Sequence, residues 1–380
     1  DYGDKIAPRL GFAWDMFGDS QWKLYGSYGN YYDTTKYYMP RGLFGGDKWV
    51  DFWYTFDTPD PFLNDAAACR TGSNTILERP DCPAGTFIEA WDRRHTSSDP
   101  DYWEEIGFPL IDPDLKPMET WEAQLGVDWQ FTPKIQLGAR YVHKEVERAI
   151  EDVGLLVEGV GEVYLIGNPG EGLSASPEVS VLPHAKPVRE YDALELTIDR
   201  RFADNWSLRG YYRLSRLWGN YGGLASVDEQ NGFADPLDQL GSVTGDAARR
   251  GPNASRMYDV PGAMYDQNGD VTLGRLATDR THQFGVQFLY SFNFGLSVGV
   301  NQYIGSGTPI STMGQSPANV NCYAYGRGDL GETSWLTQTD LTLWQTFNFG
   351  RFDLSLGLTV LNLFDEDTAT RYYSRRQLQD

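Results

Sequence analysis

Apolar and polar residues alternate one by one along much of this chain, over stretches longer than most soluble strands. From Met118 to Phe131 one parity carries Trp121, Ala123, Leu125, Val127, Trp129 and Phe131, and the other carries Thr120, Glu122, Gln124, Gly126, Asp128 and Gln130. Successive side chains of an extended backbone point to opposite sides, so a period of two marks a strand with one apolar and one polar face. The pattern recurs in Pro8, Leu10, Phe12, Trp14 and Met16, in Leu194, Leu196, Ile198 and Phe202, in Phe284 to Phe292, and in Phe352 to Val360. A strand that crosses a bilayer at a tilt needs about 9 to 11 residues, whereas globular strands average about 5 to 6. Length therefore points to the membrane.

Two kinds of connection join these segments. Tight turns fall at Gly18-Asp19, Thr132-Pro133, Ala203-Asp204-Asn205, Asn293 and Gly350-Arg351. Long connections run roughly from Thr34 to Lys116, Glu151 to Pro187, Gly219 to Arg275 and Gly305 to Thr333. Short periplasmic turns alternating with long extracellular loops are the grammar of outer-membrane barrels. The expected fold is all-β, an antiparallel up-and-down transmembrane β-barrel contributing about ten strands.

Composition agrees once the architecture is considered. No run of about 18 apolar residues could form a spanning helix, and the mean hydropathy of -0.47 is low because only every second barrel residue faces lipid. Aromatics including Trp22, Tyr31, Tyr32, Trp129, Phe131, Trp206, Trp218, Phe347, Phe349 and Phe364 fall near strand ends, where amphipathic rings favour the lipid–water boundary. The net charge of -21, with 53 carboxylates against 32 Lys and Arg, argues against nucleic acid, since phosphate binding needs excess cations on one face. Cys69 and Cys82 lie close together in one polar loop, and a disulfide between them suits an oxidising exterior, while Cys322 stands alone. Asp1 to Ala7 leads directly into strand-like sequence, so the chain is expected to start inside a longer protein.

Motifs suggestive of chemistry mostly dissolve on inspection. Gly295-Leu296-Ser297-Val298-Gly299 matches a nucleophile elbow, but strand alternation runs straight through it. Asp266, Asn268 and Asp270 have the spacing that opens a calcium loop, yet Val271 and Ala277 occupy the glycine and twelfth positions of an EF-hand. A looser loop-bound Ca2+ is the residual expectation there. Arg327-Gly328-Asp329 resembles an adhesive tripeptide, and His95, His143, His184 and His282 show no metal spacing. No catalytic constellation emerges. The candidate substrate contacts are instead the polar, inward parity of the strands, Glu122, Asp128, Arg140, Glu195, Arg209, Arg213, Gln283 and Gln287, and the aromatics of the longest loop, Trp49, Trp53, Tyr54, Trp91 and Trp103.

Specific wording adds to the pattern. Ala7 to Asp15 (APRLGFAWD), Lys23 to Asp33 (KLYGSYGNYYD), Thr278 to Phe292 (TDRTHQFGVQFLYSF), Gly305 to Pro309 (GSGTP) and Asn362 to Asp365 (NLFD) resemble the barrel half of TonB-dependent outer-membrane receptors. Leu224 to Glu229 (LASVDE) and Pro252 to Arg256 (PNASR) bring the resemblance closest to the Oar-like branch. The resemblance implies a barrel of about 22 strands with a plugged lumen, importing a scarce substrate with energy passed through TonB. Residues 1–380 contain no TonB box, plug or immunoglobulin-like extension and no final strand ending in an aromatic. The expectation is a partial outer-membrane β-barrel domain, with the plug, N-terminal strands and final strand outside it. Its partners would be outer-membrane lipid, the remainder of the receptor, and TonB through that N-terminal part. The competing expectation is a structural or adhesive barrel that displays large extracellular loops; a secreted carbohydrate-binding or hydrolase domain would need loops of similar length at both ends.

Overall fold

The computed structural model describes residues 6–33, 50–56, 85–92, 107, 109–159, 161–223, 258, 264–266, 268–315, 321–323, 325–369 and 375–377, with backbone alone at 50–56, 85–92, 152, 161–162, 164, 313–315, 321–322 and 375–377. Trp49, Cys69, Cys82 and Trp103 lie outside the described residues. The strands in chain order are β1 (Arg9–Asp15), β2 (Trp22–Tyr32), β3 (Val50–Phe56), β4 (Gly85–Asp92), β5 (Glu119–Thr132), β6 (Ile135–Arg148), β7 (Glu151–Val157), β8 (Gly161–Gly167) and β9 (Arg189–Ala203). They continue as β10 (Trp206–Gly219), β11 (Gly274–Arg275), β12 (His282–Ser291), β13 (Leu296–Gly305), β14 (Met313–Gln315), β15 (Asn321–Cys322), β16 (Leu336–Asn348), β17 (Asp353–Val360) and β18 (Arg375–Gln377).

One large sheet runs β1-β2-β5-β6-β9-β10-β12-β13-β16-β17, each strand antiparallel to its neighbours, with β11 joining β10. This is the expected up-and-down order of ten strands. Among the described residues no ladder joins β1 to β17, so the sheet is open rather than a closed ten-stranded ring. The tight turns have chemical causes. Asp204 and Asn205 adopt φ of 51° and 70°, the left-handed pair of a two-residue hairpin whose twist matches its strands. Asp15 closes the first turn by accepting from Gly18 and Ser20 amides at 3.0 and 2.9 Å.

The long connections hold more structure than sequence reveals. β3 pairs β4, β7 pairs β8, and β14 pairs β15 and β18. Most of the apolar core sits in these connections. One cluster joins Val146, Ala149, Tyr221, Tyr258, Met264 and Tyr323, and another joins Leu110, Val153, Leu155, Val163 and Leu165. The large sheet instead leaves Leu10, Trp14, Leu125, Leu196, Val286 and Leu358 exposed on its apolar parity. A face that packs against nothing among the described residues, yet is apolar along every strand, is a face made for lipid.

Ring pairs collect at the short-turn end of that face: Trp22 stacks on Trp129 at 4.9 Å, Trp129 meets Phe131 edge-on at 4.9 Å, and Tyr290 meets Phe292 at 4.7 Å. Toward the long-loop end the apolar parity turns polar, at Asn30, Glu119, His143, Asp192, Arg216, His282, Gln302 and Thr339. From β2 to β16 this onset steps down the ladders, since Trp121 pairs Asn30 whereas Thr339 pairs Gln302 and Gln302 pairs Val286. Strands tilted to the membrane normal require such a drift. Tyr31 corrects the aromatic-girdle expectation: it pairs with Thr120 on the polar parity, where the Arg9 guanidinium lies 4.6 Å from its ring.

Candidate functional site

Register gathers the eight candidate strand residues onto one face. A single ladder row reads Tyr25, Gly126, Arg140, Glu195, Arg213, Gln283 and Gly305 across seven strands. A second row carries Asp199, Arg209, Gln287, Asn301 and Asp340, while Lys23, Asp128 and Gly138 lie in a third and Gly29, Glu122 and Lys144 in a fourth. In the first row Glu195 is the hinge. Its side chain is only 12% exposed, it pairs with Arg140, and it accepts from Arg213 Nε at 2.7 Å. Arg140 also reaches Gln124 at 3.4 Å, and Gln124 donates to Ser27 at 2.9 Å, extending the network back to β2.

The other rows hold separate pairs. Lys23 meets Asp128 at 2.5 Å, Arg209 meets Asp199 at 2.9 Å, and Asn301 donates to Asp340 at 3.2 Å. Glu195 thus balances two guanidinium groups, while Arg209 stays 73% exposed. Such a wall presents donors and acceptors of both signs, at modest cost in solvated ion pairs. The space in front of Gly126 is filled by the Tyr25 ring. Trp53, Tyr54 and Trp91 fall on the β3–β4 hairpin, where Asp51 pairs Trp91 and Trp53 pairs Glu89.

The remaining motifs find structural places. Ser297 lies within β13 with its Oγ 2.8 Å from Ser291 Oγ, so no elbow forms. Asp266 accepts from the amides of Asn268 and Asp270 at 2.8 and 3.0 Å, and these bonds hold its carboxyl below the ordinary value. Among the described residues no group of three His, Cys, Asp or Glu could hold a metal ion. Arg327 is anchored rather than displayed, donating to Thr272 O, Tyr323 Oη and Asn220 O at 3.0, 3.1 and 3.1 Å. Asp329 accepts from both the amide and the hydroxyl of Thr312 at 2.6 Å.

Two loop features escaped the sequence. A cleft of about 590 Å3 is lined by Asp112, Asp114, Lys116, Asn168 and Glu171; Asn168 ties its walls together by accepting from the Lys116 amide at 2.7 Å and donating to Ala149 O at 2.7 Å. The other feature is His184, buried with Nε2 2.6 Å from Gly154 O and its ring 5.7 Å from Tyr258. Burial pushes its pKa below the ordinary 6.5. The native loop holds imidazole neutral, whereas the unfolded loop takes up a proton below about pH 6.5, so this stability is present above that pH and is lost as pH falls toward the folded value. Amide protection in β7 and β8 is therefore expected to fall as pH drops below about 6.5, measured by hydrogen exchange. His184→Gln should flatten the dependence, and an unchanged profile would refute the assignment.

A family model described as "Outer membrane beta barrel domain" matches residues 1–355. The TonB-dependent transporter Oar of Myxococcus xanthus is 27% identical over 99% of this chain, which covers 33% of that protein. Thus the chain spans about a third of the length of the curated relative it matches. Among solved structures, the outer membrane transporter YddB from Escherichia coli aligns over 97% of this chain and 38% of its own, at 12% identity and a TM-score of 0.54, a likeness of fold alone.

Proposed function

This chain belongs to the outer membrane beta barrel family, and from that premise we propose that it is the barrel portion of a TonB-dependent receptor that imports a scarce, polar substrate across the outer membrane. The observation that carries the proposal is the polar row Arg140–Glu195–Arg213–Gln283, which lies on the face opposite the lipid-facing parity. Substrate recognition falls to this row, to Glu122, Asp128, Arg209 and Gln287 beside it, and to the loop aromatics Trp49, Trp53, Tyr54, Trp91 and Trp103. No covalent chemistry is needed. Among the described residues the outer edges of β1 and β17 have no partner strand, and rows of backbone donors and acceptors left so in lipid would each cost several kcal/mol, so in this reading further strands complete the barrel. A plug within it and TonB beneath it complete the transport cycle.

The test uses the complete receptor in its own cells. Uptake of ferric siderophores, oligosaccharides and peptides is measured with and without the gene, and with and without the inner-membrane energiser. One class should lose uptake in both deletions, and Glu195→Ala should lower that uptake several-fold while the protein still reaches the membrane. If every class enters normally and cell-to-cell adhesion falls instead, the transport reading fails and a loop-displaying barrel replaces it.

A further inference from the structure

A cleft of about 340 Å3 opens beside Tyr28, Asn30, Glu119, Trp121, Glu145 and Glu147, and it lies on the wrong side of the sheet for transport. In the register Asn30 pairs Trp121 and Trp121 pairs Glu145, on the parity that lower down carries Leu24, Leu125 and Leu137. The cleft therefore sits on the outward surface, where the lipid-facing band ends.

Its lining has a definite chemistry. Trp121 packs against Tyr28 at 5.9 Å and against His143 at 4.7 Å, and its indole N–H donates to Glu145 Oε2 at 3.1 Å. Asn30 donates to Glu119 Oε1 at 2.9 Å, while its own Oδ1 is shielded from solvent and accepts no hydrogen bond. Glu119 is paired with Arg148 at 3.3 Å, but among the described residues no cation pairs with Glu145 or Glu147. The wall thus presents aromatic surface flanked by acceptors. That combination suits a ligand rich in hydroxyl donors with an apolar ring face, and the carboxylates disfavour a bare phosphate.

We propose that this cleft seats the saccharide of an outer-leaflet glycolipid, with a sugar ring over Trp121 and its hydroxyls donating to Glu145 and Glu147. The occupant follows from position, because the cleft is continuous with the lipid-facing band and opens at headgroup level on the long-loop side. This rests on the family membership and is independent of the transport reading.

The complete receptor is extracted from its own outer membrane in mild detergent, and retained glycolipid is counted by intact-complex mass spectrometry. Trp121→Ala and Glu145→Gln should each lower retention about five- to tenfold, the loss expected when one stacked ring is removed or one hydrogen bond to the ligand loses its charge. Trp129→Ala, an aromatic change at the opposite end of the same strand, should leave it unchanged. Trp121→Phe keeps a ring while losing the bond to Glu145, and an intermediate retention is expected from it even if Trp121→Ala fails to fold. The purified glycolipid is then added back intact, and again after its saccharide has been removed down to the acylated, phosphorylated base. Binding that needs the saccharide and survives EDTA supports the proposal. Equal retention in folded variants, or binding of the stripped base that EDTA abolishes, would overturn it.

Discussion

Leu196→Arg is expected to cost the barrel about 2 to 4 kcal/mol, the penalty of a charge near mid-bilayer on a lipid-facing strand position. Leu196 is 43% exposed with Leu194 and Ile198 on either side of it along the same parity of β9. The neighbouring change Thr197→Arg should stay within about 0.5 kcal/mol. Thr197 points to the polar face, opposite Gly138 and Tyr211, near the carboxylates of Asp128 and Asp199. Urea unfolding of the complete barrel in lipid bilayers measures both. Equal costs at the two positions would mean that the faces have been assigned wrongly, and the whole reading of the polar row would fall with them.

Arg327→Ala should loosen the long-loop end by about 2 to 4 kcal/mol, since three donors to Thr272 O, Asn220 O and Tyr323 Oη vanish together. The ring of Tyr323, 4.1 Å from the guanidinium carbon, loses its cation as well. Arg327→Lys should recover less than half, because an ammonium cannot fork toward three partners in fixed directions. Proteolysis within 264–275 and hydrogen exchange at Asn220 and Tyr221 read the effect. Unchanged protection in Arg327→Ala would show that the loops are held by their apolar clusters alone.

The main sheet was readable because alternation fixes a side chain's face without knowledge of its neighbours. Arg140, Glu195, Arg213 and Gln283 could be placed on one surface from parity, and the register then aligned them into one row. Parity also separates Tyr31 from the girdle, since nearness to a strand end suggests the lipid boundary while the residue shares the face of Lys23 and Tyr25. The loop body was opaque for the opposite reason. Tyr221, Tyr258 and Tyr323 are remote in sequence and meet without any period, and the three bonds of Arg327 give no signal in the tripeptide that contains it. The cleft around Trp121 was missed because Glu145 and Glu147 interrupt an apolar parity at its end, where a sequence shows only that a strand is becoming polar.

That the apolar clusters lie in the connections while the spanning sheet has almost no interior means that two parts of one chain answer to different solvents. Val153, Leu155, Val163 and Leu165 are held together by water's rejection of them, so urea, cold and salting-out ions act on the loops first. The strands between Trp22 and Val360 are held by ladders that lipid cannot replace, and bilayer thickness is the variable they feel. A shift to a thicker membrane should therefore stress the sheet while leaving the loop clusters at their ordinary stability, and a dose of urea should do the reverse.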